Sequence, residues 1–162
     1  MSDIRIGHGY DVHAFEPGNH VILGGVKIPY HYQFKAHSDG DVLIHAVCDA
    51  LLGSLALGDI GHHFPDTDNA YQGVDSRVLL KHVYQLVISS GFELGNLDVT
   101  IIAEQPKMAA HIESMRINLA EDCRAEISRI NIKATTTEKL GYIGNEEGIA
   151  VHCVCLINRS ES

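Results

Sequence analysis

The chain has 162 residues, 45% apolar and 20% charged, the size and balance of one folded domain with its own core. No apolar run approaches a membrane span, and Met1-Ser2-Asp3-Ile4-Arg5 lacks the basic-then-apolar profile of a secretion signal, so a cytoplasmic protein is expected. Twelve Lys and Arg against 21 Asp and Glu give a formal net charge of -9, which argues against nucleic acid, membranes and, at face value, anionic substrates; against that background the 11 His are many.

Residues 4–14 read as a strand ending in a polar, histidine-bearing stretch, and 21–28 as two short strands meeting at Gly24-Gly25. Over 41–57, Val42, Ala46, Val47, Ala50, Leu51, Ser54 and Leu55 recur at helical spacing, with Ser38 and Asp39 placed to cap the first amides and Gly58 to stop the helix. A punctuated loop spans 59–74. Asp75 caps a second helix, 76–89, ended by Gly91. A strand follows at 97–103, and Pro106 opens a third helix over 107–124. Residues 130–134 form a strand, and a Gly-rich loop, 141–148, leads to the last one, 149–157. This order predicts an α/β (α+β) layer fold, a mixed β-sheet with helices on one face, with 1–157 as a single domain and 158–162 as a frayed tail. Cys48, Cys123, Cys153 and Cys155 have no paired-ligand spacing and read as free buried thiols.

Four clusters carry chemistry. Asp11 and His13 point to one face of a strand, where they can grip a divalent ion or simply occupy an edge. In His37-Ser38-Asp39-Gly40-Asp41-Val42-Leu43-Ile44-His45, Asp41 and His45 share a helix face; His45 reads as a core imidazole or as a ligand. The polar residues before it crowd a helix N-terminus, which suits anions, although capping also accounts for its carboxylates. Asp59-Ile60-Gly61-His62-His63-Phe64-Pro65-Asp66-Thr67-Asp68 is either a solvated acidic turn or an ordered binding loop, and the adjacent His62 and His63 cannot easily share one metal. Thr135 and Glu138 in Ala134-Thr135-Thr136-Thr137-Glu138-Lys139-Leu140-Gly141 fit a capping box, yet Gly141 leaves little helix to cap; the hydroxyls, amides and Lys139 suit phosphate oxygens, and Glu138 suits magnesium. Gly7-His8-Gly9-Tyr10-Asp11-Val12 starts like a dinucleotide fingerprint, but Val12 stands at the last Gly position and no helix follows. No nucleophile elbow is present.

Taken together and in this order, Gly9-Tyr10-Asp11-Val12-His13, His37-Ser38-Asp39-Gly40-Asp41-Val42, Asp59-Ile60-Gly61, Phe64-Pro65-Asp66-Thr67-Asp68, Pro106-Lys107-Met108 and the 134–141 segment resemble the 2-C-methyl-D-erythritol 2,4-cyclodiphosphate synthase family across residues 4–157. The resemblance implies a homotrimer with active sites between subunits. It also implies zinc, or another divalent ion, at Asp11, His13 and His45, with a fourth position open, and magnesium or manganese at the diphosphate, held by Glu138. The implied substrate is 4-diphosphocytidyl-2-C-methyl-D-erythritol 2-phosphate, whose 2-phosphate attacks the β-phosphorus and expels CMP, in the non-mevalonate route to isoprenoid precursors. By the same resemblance His37 and Thr136 would steady the transition state, and Asp59 and Gly61 would hold ribose or erythritol hydroxyls. Ala103, Lys107, Met108, Ala109, Ala134 and Thr135 would surround the cytidine diphosphate of a neighbour's site. Ser38, Phe64, Asp66, Asp68, Thr137 and Tyr142 complete the implied substrate-binding set, with Asp41 and Ser38 also supporting the ligands from behind. Asn145 stands where many relatives carry an Arg that helps hold an isoprenoid diphosphate on the trimer axis, and His152 where an acidic residue is frequent, which leaves such a ligand open. Two other readings remain: a phosphoesterase using metal-bound hydroxide, and a nucleotide- or metal-binding module without catalysis.

Overall fold

The computed structural model describes residues 3–65, 69 and 72–161. Strand β1 (Ile4–Pro17) leads into a hairpin of β2 (His20–Leu23) and β3 (Val26–Pro29), which turns at Gly24-Gly25, both with positive φ. Then come β4 (Tyr32–Phe34), α1 (Val42–Ser54), α2 (Ile60–His63), α3 (Ser76–Ser89) and β5 (Phe92–Ile102). The chain continues through α4 (Ile112–Asp122), a 3-10 turn (Ile127–Arg129), β6 (Ile130–Thr135), α5 (Gly141–Gly144) and β7 (Gly148–Arg159). Five strands make one mixed sheet in the order β4-β1-β7-β5-β6, in which β5 and β6 run parallel across α4 and the other pairs are antiparallel. This is the expected mixed α+β fold.

One face of that sheet is buried, because Ile149, Val151, Cys153, Cys155 and Ile157 of β7 and Leu97, Val99 and Ile101 of β5 all point to it. Helix α1 lies across this face against β1 and β7, with α3 packed behind it, and is therefore buried nearly all round. The approach to β1 is close. A Cβ on Gly7 would sit 1.8 Å from the Ala50 carbonyl oxygen, and one on Gly9 would sit 1.8 Å from that of Ala46. The two glycines that imitate a nucleotide fingerprint in the sequence thus serve helix–strand packing.

The opposite face carries Ile4, Ile6, Tyr10 and Val12 of β1 and Val154 of β7, all exposed, with Ile6 at 70%. The four cysteines are free and buried, and burial pushes their thiols up, which leaves them inert. Among the described residues no helix is long and apolar enough to cross a membrane.

Several boundaries differ from expectation for local reasons. Ser38 and Asp39 accept from the loop amides of Gly40 and Asp41, whereas Asp41 itself caps α1. The helix ends at Ser54, not near 57, because Ala56 takes a left-handed φ of 57° and Leu57 N–H returns to the Leu52 carbonyl. Helix α4 begins at Ile112 and not at 107, since Met108 is drawn into the core and the stretch before 112 is held in turns, with His111 N–H on the Met108 carbonyl at 2.8 Å. At the C-terminus β7 runs through Arg159, two residues into the expected tail; Arg159 bonds Asp3 and covers the Phe92 ring, which holds that end in the sheet.

Candidate metal and substrate site

Alternation along β1 places Asp11 and His13 on the helix-facing side, and the glycine at position 9 lets α1 come near enough to bring His45 between them. Asp11 Oδ2 lies 3.2 Å from His45 Nδ1 and 3.3 Å from His13 Nε2, and the two rings are 3.4 Å apart at their facing nitrogens. One donor atom from each of the three fits within 4.8 Å, all partly buried, a carboxylate and two imidazoles of the kind that bind zinc or a similar divalent ion.

The orientation of His45 is set from behind. Its Nε2 lies 2.9 Å from Ser76 Oγ, and the Ser76 hydroxyl in turn donates to Asp39 Oδ1. Because that hydroxyl hydrogen is committed to Asp39, the serine oxygen accepts from His45 Nε2–H, which leaves Nδ1 facing Asp11 and His13. Burial lowers the ring's pKa, but the Asp11, Asp41 and Asp39 carboxylates outweigh it and leave the imidazole above its ordinary value. Sequence reasoning does not mark Asp39 and Ser76 as support, since a Ser directly after a cap Asp signals only a helix start. Ser76→Ala is expected to weaken divalent-ion binding by about 10–100-fold. Competition with a chromophoric chelator measures this, with circular dichroism unchanged.

Asp41, expected to support the ligands, reaches His45 through its charge and not through a hydrogen bond of its carboxylate. Its buried carboxylate accepts from the amides of Gly24 (2.9 Å), Gly25 (2.7 Å) and Ile44 (3.0 Å), tying the β2–β3 turn to the start of α1. Burial and the neighbouring Asp39 push it up to about 6 in spite of those amides.

The triad lines a cavity of about 450 Å³ together with His37, Ser38, Gly61 and Phe64. His37 Nε2 is buried there without a partner among the described residues. Asp59 caps α2 by accepting from His62 N–H at 2.9 Å, and Asp49 on α1 anchors the same turn through Ile60 N–H. Asp66 and Asp68 lie outside the described residues.

A second, separate cavity of about 190 Å³ is lined by Ala103, Lys107, Met108, Ala134, Thr135 and Thr136 among others. Register explains the separation: Asp11 pairs with Val151, Val151 with Ile101, and Ile101 with Ala134, so three strand spacings, roughly 14 Å, divide the two groups. Glu104, unmarked in the sequence, accepts from Thr137 N–H and Lys139 N–H, and the Thr137 hydroxyl donates to the Leu140 carbonyl. These bonds hold Glu138 and Lys139 in left-handed backbone, with Glu138 exposed and lining neither cavity. Ala109 and Thr137 line neither cavity. Tyr142 instead bonds Tyr10 on the exposed sheet face at 3.0 Å, a bond that with burial holds Tyr10 up to about 12.

Fold and triad together define a small α+β protein with a cavity whose Asp11, His13 and His45 could hold a metal ion, and residues 4–158 match the YgbB family, to which the chain belongs. It is 66% identical over 97% of its length to the 2-C-methyl-D-erythritol 2,4-cyclodiphosphate synthase of Thioalkalivibrio sulfidiphilus, covering 98% of that protein. To the synthase of the same name from Azotobacter vinelandii it is 63% identical over 95%, again covering 98%. Among solved structures, the CDP complex of Plasmodium falciparum IspF superposes with a TM-score of 0.87 at 32% identity, with 99% of each chain covered. The bifunctional IspDF of Campylobacter jejuni superposes at 0.95 with 43% identity over 99% of this chain, which spans 44% of that longer one.

Proposed function

We propose that the protein is a cytoplasmic cyclodiphosphate synthase, converting 4-diphosphocytidyl-2-C-methyl-D-erythritol 2-phosphate to 2-C-methyl-D-erythritol 2,4-cyclodiphosphate and CMP in the non-mevalonate pathway. The observation that carries the reading is the Asp11-His13-His45 group, with His37 Nε2 unpartnered among the described residues in the same cavity, in a chain whose close relatives bear that name. Asp11, His13 and His45 hold zinc or another divalent ion, and Glu138 holds magnesium or manganese. When bound, these ions neutralise the diphosphate and polarise its phosphorus–oxygen bonds, so the -9 chain accepts an anion because its own carboxylates carry cations.

The remaining work is positioning. Attacking and leaving groups belong to one molecule, so folding it in line replaces a nucleophilic side chain. His37 Nε2, which has no partner among the described residues, serves a phosphate oxygen. Thr136 Oγ1 accepts from Glu138 N–H at 3.1 Å, which leaves its own hydrogen to donate to the moving charge. Ala103, Lys107, Met108, Ala109, Ala134 and Thr135 receive the cytidine diphosphate, Asp59 and Gly61 the sugar hydroxyls, and Ser38, Phe64, Asp66, Asp68, Thr137 and Tyr142 complete the binding set.

A homotrimer joins the two halves. Within one chain the triad cavity and the Ala103–Thr136 cavity are separate, and the exposed Ile4, Ile6, Val12 and Val154 make an apolar face of the kind that subunits cover. Incubation of the purified protein with the substrate, zinc and magnesium is expected to give the cyclic diphosphate and CMP by phosphorus NMR, with a solution mass three times the 17.7 kDa chain. Binding of cytidine nucleotides without turnover would instead leave a binding module.

A further inference from the structure

We propose that Lys35 is a substrate-binding residue of the triad cavity, taking a phosphate oxygen of the substrate; the assignment builds on the synthase reading. The residue directly follows β4, and its N–H bonds the Ala14 carbonyl at 2.9 Å, extending the β1–β4 ladder by one step. That bond seats it across from the residue after His13. Phe34 packs beside His13, with their ring centroids 6.0 Å apart, and Lys35, at the end of this edge strand, lines the same cavity as Asp11, His13, His37 and His45.

Its charge sets it apart. Among the residues lining that cavity, Lys35 is the only one with a permanent positive charge, and among the described residues its ammonium forms no ion pair. Among the described residues of this acidic chain no carboxylate pairs with the lysine, which stands beside a group suited to a divalent cation. Such a pairing of a fixed cation with a metal-ligand group is complementary to a phosphate, which can meet the ion with one oxygen and the ammonium with another. A contact of this kind holds ground state and transition state alike, so its loss acts on KM more than on kcat.

The test compares wild type, Lys35→Met and Lys35→Arg, each loaded with zinc. Steady-state turnover of the cytidylyl substrate is expected to show KM roughly tenfold higher in Lys35→Met, kcat changed by less than about threefold, and most of the KM recovered in Lys35→Arg. Calorimetric titration with inorganic pyrophosphate should show a similar loss of affinity in Lys35→Met. Titration with CDP assigns the phosphate: an unchanged affinity places Lys35 on the 2-phosphate, which CDP lacks, and a parallel loss places it on the β-phosphate. If KM and pyrophosphate affinity in Lys35→Met equal those of wild type, the proposal is overturned. Failure of the wild type to turn over the substrate would refute the synthase reading instead, and the pyrophosphate titration would still decide the role of Lys35.

Discussion

Replacing His45 with alanine is expected to remove the bound divalent ion and to lower CMP release by on the order of a thousandfold or more. His45 supplies one of three donor atoms, and its loss leaves only Asp11 and His13, fewer than the three protein ligands of a working zinc site. The ring sits at the cavity wall, held by Ser76 on one side and facing Asp11 on the other, so truncation opens space without breaking the core behind it. Secondary structure by circular dichroism should therefore persist while metal content by mass spectrometry falls. A variant that keeps its zinc would show the ligand assignment to be wrong.

Gly9→Ala is expected to cost about 3 kcal/mol or more, the upper end of overpacking effects, because the added carbon meets backbone rather than a movable side chain. The Ala46 carbonyl at 1.8 Å belongs to α1, so relief requires the helix to back away from β1. That movement carries His45 from Asp11, and metal affinity should fall along with stability. Urea denaturation, with chelator competition on the folded fraction, reads both. Wild-type values for the two would refute the claim that this close approach builds the site.

Much of the fold is legible because local rules govern it. Asp75 and Gly91 bracket α3 as a cap and a left-handed stop, and Gly24-Gly25 turns its hairpin; both depend on neighbours in sequence alone. Where distant partners decide, sequence reading misplaces the boundary: Met108 enters the core and delays α4, and the Asp3–Arg159 pair keeps the last strand in the sheet. The same division runs through the site. Asp11 and His13 share a face by spacing, and His45 is marked by its helical register. The Asp39–Ser76–His45 chain joins residues 37 positions apart, and Glu104 reaches 33 to 35 positions to the 137–139 turn. Neither leaves a local signal. Gly7 and Gly9 carry one that misleads, since the pattern that admits a pyrophosphate elsewhere here admits a helix.

The most direct test of intramolecular cyclisation is turnover in oxygen-18 water, with mass analysis of both products. Every oxygen of the cyclic diphosphate and of CMP comes from the substrate if the 2-phosphate is the attacking group, so neither product should carry label. Oxygen-18 in a linear phosphate product would mean that water attacks phosphorus, and that the Asp11-His13-His45 cavity belongs to a hydrolase.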